Sequence, residues 1–223
     1  MTPRDLELSR ISEGIMRGAL AVVGLVLSLF TPVTDSQTSS PPPGKITLDI
    51  KTINGSGCPA GTADASADVS SDNTSFTVHY NNFAAKAGNG ASAVDGRKNC
   101  QINVLVHVPA GFTFAIAEAD YSGFAHVAAG ASALEQANYY FTGQAATARV
   151  PHPLTGPFDG QWTAKDVADV LVYAPCGLDR NLNINAEVRA NAGTSDSGAT
   201  SFIEMDSSHA SVDTVYQFNW KQC

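Results

Sequence analysis

Positive charge is scarce in this sequence. Only 13 of its 223 residues are Lys or Arg, against 21 Asp or Glu, and the net charge is −8. No basic run occurs anywhere, so the counterion release that drives nucleic-acid binding has no source. An anionic membrane surface has nothing to attract either. Cysteine is sparse as well: there are four, none in a C-x-x-C pair, which leaves no zinc site of the usual spacing. The five histidines, His79, His107, His126, His152 and His209, are scattered without ligand spacing. No apolar run reaches the roughly 20 residues that cross a bilayer as a helix. There is no internal repeat, no convincing helix, and nothing that points to a cofactor.

What is present begins with a targeting segment. Residues 18–30 (GALAVVGLVLSLF) are apolar and lie between Arg17 and Thr31-Pro32. As a helix they reach about 20 Å, short of the roughly 30 Å hydrocarbon core, but this is the length of a signal-peptide core. Asp5, Glu7 and Glu13 are foreign to a basic leader, whereas Met16 would leave Met-Arg ahead of the apolar run. The expected organisation is a signal peptide over residues 1–35 with Met16 as the start, a Ser/Thr/Pro linker over 36–44, and one secreted β domain over 45–223. The membrane is met only through the signal segment before cleavage. In an oxidising compartment an even number of cysteines argues for two disulfides. Cys58, Cys100, Cys176 and Cys223 allow three connectivities. Cys58–Cys100 with Cys176–Cys223 closes short, local loops and is the pairing favoured.

The domain is organised around residues 97–127. From Gln101 to Val108 the side chains split by parity: Ile102, Val104, Val106 and Val108 against Gln101, Asn103, Leu105 and His107. Period two is the strand period, and β-branched residues fill the apolar side. Pro109-Ala110-Gly111 then breaks the pattern, and Phe112, Phe114 and Ile116 resume it. The stretch is expected to be a β-hairpin. Residues 81–99 are expected to be a long loop pinned by Cys100, with 133–142 a strand and Pro151 and Pro153 at a sheet edge. Residues 181–189 form the clearest strand of the second half, with Leu182, Ile184 and Val188 inward. Many short strands separated by turns predict an all-β fold, an antiparallel β-sandwich or jelly roll stapled by two disulfides.

Several motifs occur in order: CPAG from Cys58, DGRKNC ending at Cys100, VPAGFTFAIAEADYSGFA from Val108, TGPF from Thr155, PCG around Cys176, RNLNIN from Arg180 and WKQC at the end. In these the chain resembles the secreted family described as domain of unknown function 4360, over residues 45–223. The resemblance implies a secreted β-rich domain with four cysteines and supplies no catalytic residues.

The residues themselves offer a few constellations. The outward side of the 181–189 strand carries Asn181, Asn183, Asn185, Glu187 and Arg189, and amides with a charged pair suit sugar hydroxyls; this is the candidate recognition face. Glu118 with Asp120, and Glu204 with Asp206, each place two carboxylates on one strand face, roughly 6.5–7 Å apart. A glycosidase needs such a pair. Asp196-Ser197-Gly198 lacks the histidine segment a serine nucleophile requires. Asp179–Asn183 begins like a calcium loop, but Ile184 and Ala190 stand where Gly and Glu are needed. Asn54-Gly55-Ser56 and Asn73-Thr74-Ser75 are glycosylation sequons. The expectation is a secreted binding or structural module whose partner is cell-wall polysaccharide or an extracellular protein. The alternatives are a polysaccharide hydrolase using a carboxylate pair, or a proteinase inhibitor presenting residues 84–98. A chain begun at Met16 is expected to be secreted; assay of the culture medium checks this, and its absence from the medium contradicts it.

Overall fold

The computed structural model describes residues 40–147, 149–205 and 213–223. The signal segment and His209 lie outside them. Twelve strands are formed: β1 (Thr47–Asn54), β2 (Ala65–Val69), β3 (Ser75–Tyr80), β4 (Ala84–Gly88), β5 (Arg97–His107), β6 (Phe112–Val127), β7 (Ser132–Phe141), β8 (Val150–Thr155), β9 (Phe158–Val167), β10 (Asn181–Asn191), β11 (Thr200–Glu204) and β12 (Thr214–Gln222). They build two antiparallel sheets. The five-stranded sheet has the order β1-β5-β10-β7-β8. The seven-stranded sheet has the order β2-β3-β12-β6-β11-β4, with β9 on β6. The proline-bearing β8 is the edge expected of it.

The two sheets enclose one core. The smaller sheet turns in Ile102 and Val104 from β5, Leu182, Ile184 and Val188 from β10, and Tyr139 and Phe141 from β7. The larger sheet answers with Phe76 and Val78 from β3, Phe114 and Ile116 from β6, and Tyr216, Phe218 and Trp220 from β12. Aromatic rings knit the layers. Phe114 meets Phe141 and Phe218 edge-on, each at 5.2 Å between centroids, and Phe76 stacks on Tyr216 at 4.9 Å. Each such pair contributes about 0.5–1.5 kcal/mol beyond its buried area.

The expected hairpin over residues 97–127 is not formed. β5 pairs with β1 and β10, whereas β6 pairs with β12, β9 and β11 in the other sheet. The turn at residues 109–111 carries the chain from one layer to the other. Alternation reports which face of a strand is buried, and two strands on opposite sides of one core satisfy it as well as two strands side by side. Within β6 the pairing with β12 shifts between Gln217 and Phe218, which leaves Ala117 as the extra residue of a bulge. Inward parity changes there, from Phe114 and Ile116 to Ala119 and Tyr121.

Residues 81–99 are also more ordered than a long loop. They contain β4, which pairs with β11, a short 3-10 turn over Ala93–Gly96, and the start of β5. Residues 84–98 are therefore a strand, a short connecting turn and the start of a second strand, not one continuous loop. Both disulfides are those favoured, Cys58–Cys100 and Cys176–Cys223. The first lies beside Gly55, whose φ is +144° and where a Cβ would sit 2.1 Å from the Asn99 carbonyl oxygen. The second ties the irregular segment after β9 to the C-terminus. That segment is docked by Thr113 Oγ1 donating to the Ala174 carbonyl at 2.6 Å. Replacing both Cys176 and Cys223 by Ser is expected to cost about 2–4 kcal/mol of stability, measurable by urea unfolding; an unchanged midpoint contradicts this role.

Candidate recognition face

β10 sits at the centre of the five-stranded sheet with its inward positions taken by the core, and the outer face around its outward residues is mostly polar. Register places its outward residues in rows. Asn183 lies between Asn103 and Tyr140, Asn185 between Gln101 and Asn138, Glu187 between Asn99 and Gln136, and Arg189 between Arg97 and Leu134. On the far side, β1 adds Thr52 beside Asn103 and Asn54 beside Gln101.

The amides of the first rows bond to one another. Asn181 Nδ2 donates to Asn103 Oδ1 at 2.6 Å, Asn103 Nδ2 to Asn183 Oδ1 at 2.7 Å, and Asn183 Nδ2 to Thr142 Oγ1 at 3.1 Å. This chain fixes their orientation and uses much of their capacity. Asn54, Gln101 and Asn185 differ: their side chains make no hydrogen bond among the described residues. These three, with Thr52, Asn103, Tyr140 and Asn183, line an open cleft of about 380 Å³.

Further along β10 the face changes character. Glu187 was expected on the outward side of the strand; it is there but buried, with 2% of its side chain exposed. Arg97 caps one oxygen, Arg189 Nε donates to the other at 2.5 Å, Gln136 Nε2 donates at 2.8 Å, and Arg149 Nη1 stands 3.7 Å away. Burial pushes this carboxyl up, but the hydrogen bonds from Arg97, Arg189 and Gln136 outweigh it and hold it below its ordinary value. The arginine side chains cover the glutamate from above.

The other sequence candidates come to less. Glu118 and Asp120 share a face, but Lys165 bridges them at 2.5 and 3.1 Å, and their hydrogen bonds raise the lysine above its usual range. Glu204 ends β11, and its partner Asp206 lies outside the described residues. Asp196 Oδ1 accepts from the Gly198 N–H at 2.8 Å in a turn. Residues 181–183 are strand, not a calcium loop. Asn73 donates to the carbonyls of Pro42 and Gly44, so that sequon is built into the fold, whereas Asn54 is exposed. Among the described residues no group of three His, Cys, Asp or Glu is placed to hold a metal.

One constellation escaped the sequence reading. Glu135 on β7 points into the sandwich, is fully buried, and neither of its oxygens has a hydrogen-bond partner. His152 Nε2 lies 3.9 Å from it and 3.0 Å from Asp166, and the Tyr121 hydroxyl donates to Asp166 at 3.1 Å. Burial first, and the negative Asp166 second, push Glu135 well above the usual carboxylate range. The signal was available: Glu135 shares its parity with Ala133, Ala137 and Tyr139, all inward.

The fold and the site stand beside known proteins as follows. The family model described as Domain of unknown function (DUF4360) matches residues 44–223. The chain belongs to this family. An "Uncharacterized secreted protein" of Arthroderma benhamiae is 32% identical over 208 residues, covering 92% of this chain and 83% of the relative. With its two disulfides and its family, this DUF4360 chain is a secreted protein. Two solved structures are distantly similar. TmCBM61 in complex with beta-1,4-galactotriose shares 10% identity, 81% of this chain and 90% of its own, at a TM-score of 0.28. The enzymatically active domain of bacteriophage CBA120 tailspike protein 4 shares 14% identity, 80% of this chain and 19% of its own, at a TM-score of 0.25. Likenesses of that size carry no argument about function.

Glu135 generates a prediction. Above the ordinary glutamate value of 4.5 the unfolded chain releases this proton while the folded chain keeps it. Its contribution to stability is therefore complete at acid pH and is lost as pH rises, by up to about 1.4 kcal/mol per pH unit, until the folded group ionises. Glu135→Gln keeps the shape and removes the titration. Urea midpoints of both proteins between about pH 5 and about pH 8 should diverge in favour of the variant as pH rises. A pH-independent difference contradicts it.

Proposed function

We propose that this secreted DUF4360 protein is a binding module that takes a polyhydroxylated ligand, a cell-surface polysaccharide, on the outer face of its five-stranded sheet. The observation that carries this reading is the cleft whose walls hold three side-chain amides, Asn54, Gln101 and Asn185, without hydrogen-bond partners among the described residues. A primary amide offers two donors and a carbonyl acceptor, which is what a sugar hydroxyl, donor and acceptor at once, requires. Tyr140 supplies an apolar ring in the same cleft. The Asn181–Asn103–Asn183 chain holds its neighbours in place before a ligand arrives, which lowers the entropic cost of binding.

The two kinds of amide separate ligand binding from stability. Gln101→Ala with Asn185→Ala removes only free groups, so stability should move by about 0.5 kcal/mol or less, as at ordinary surface sites. Retention on insoluble cell-wall polysaccharide should fall about tenfold, equivalent to roughly 1.4 kcal/mol. Asn183→Ser breaks the tied chain and should cost about 1 kcal/mol of stability. Pull-downs and thermal melts of the three proteins test this. Undiminished retention of the double variant, or no retention of the wild type on any wall fraction, rejects the reading.

A further inference from the structure

Resting on that reading, we infer that the polysaccharide is an acidic one, whose carboxylate groups are held by Arg97, Arg149 and Arg189 at the end of the same face. The chain has seven arginines, and only Arg97, Arg149, Arg180 and Arg189 fall within the described residues. Three of these four gather around one glutamate. Three positive charges against the single negative Glu187 leave a local excess of two, on a chain whose net charge is −8. One arginine is enough to neutralise Glu187. The other two add mutual repulsion unless an anion comes between them.

The guanidinium groups are also free to accept one. Their side chains are 56%, 42% and 47% exposed for Arg97, Arg149 and Arg189. Each guanidinium has five N–H donors. Here Arg97 and Arg189 each spend one on Glu187, and Arg149 gives Nε to Asn138 at 3.0 Å. The remaining donors make no hydrogen bond among the described residues. A planar fork matches a carboxylate in a two-point contact, which a sugar hydroxyl cannot return. Gln136 and the buried Glu187 hold the cluster in place from below.

The patch continues the cleft. Asn185 and Arg189 lie on the same side of β10, four residues and about 13 Å apart, with Glu187 midway. A polymer laid along β10 would meet amides with its hydroxyls and arginines with its acid groups. Lys98 adds nothing to the patch, because it pairs with the inward Val188 and so lies on the opposite side of β5 from Arg97.

The test is a titration with polygalacturonate, alginate and hyaluronate, each beside its carboxyl-reduced counterpart, with dextran sulfate as a control for charge alone. The wild type should bind at least one acidic polymer about tenfold more tightly than its reduced form, and raising the salt should weaken that binding. Arg149→Gln removes the guanidinium most loosely tied to Glu187, so it should lose this preference at an unchanged melting temperature. If that variant is unstable, Arg189→Lys keeps the charge, loses the fork, and should lower the same ratio. Equal binding of acidic and reduced polymers overturns the inference while leaving a hydroxyl-binding face intact. Failure of all polymers, acidic, reduced and wall-derived, overturns both. Dextran sulfate binding as tightly as the best uronate overturns the carboxylate assignment.

Discussion

The register of β10 is the constraint from which the rest of the molecule follows. This strand is hydrogen-bonded along both edges, to β5 and to β7. A slip of one residue would drive Asn183, Asn185 and Glu187 into the core and expose Leu182, Ile184 and Val188. The core therefore fixes the outer face as firmly as the inner one. It sets which amides stand beside which, and it brings Arg97 and Arg189 to either side of Glu187 without any contact designed for that purpose alone.

Two buried carboxylates show how differently one fold treats the same group. Glu187 keeps its charge because the sheet surrounds it with guanidinium and amide donors. Glu135 lies deeper, gains no hydrogen bond, and faces a second acid through His152. Desolvation then favours its neutral form. The two act on stability in opposite directions. Glu187 contributes stability above its ordinary range that is lost as acid protonates it, whereas the contribution of Glu135 is lost as pH rises above the ordinary carboxylate range. A secreted protein met by changing pH carries both at once.

Much of this was legible in the sequence. Parity in residues 181–189 identified inward and outward residues correctly, because a half-buried strand must alternate. The disulfides followed from loop length. What parity cannot carry is pairing. Residues 97–127 alternate on both sides of Pro109-Ala110-Gly111, yet the chain changes sheets there, since a turn between layers and a turn within one leave the same pattern. The bulge at Ala117 is invisible for the same reason: it shifts phase within a run of small and apolar residues that reads well either way. Glu187 was placed on the outward side, but its burial depends on arginines 38 and 90 residues away in sequence, Arg149 and Arg97. Glu135 stands in a stretch expected to be a strand, and its parity with Ala133, Ala137 and Tyr139 already places it inside.

The claim at the centre of this account is that the outer face of the five-stranded sheet is where the protein meets its ligand. The most direct measurement is a nuclear magnetic resonance titration of the labelled protein with soluble wall-derived oligosaccharide, following the side-chain amide and arginine signals. The account predicts shifts confined to the outer face of β1, β5, β7 and β10 and to Arg149 beside it, led by Asn54, Gln101 and Asn185 and extending to Arg189. Shifts centred instead on the outer face of β6, β9 and β12 would contradict it.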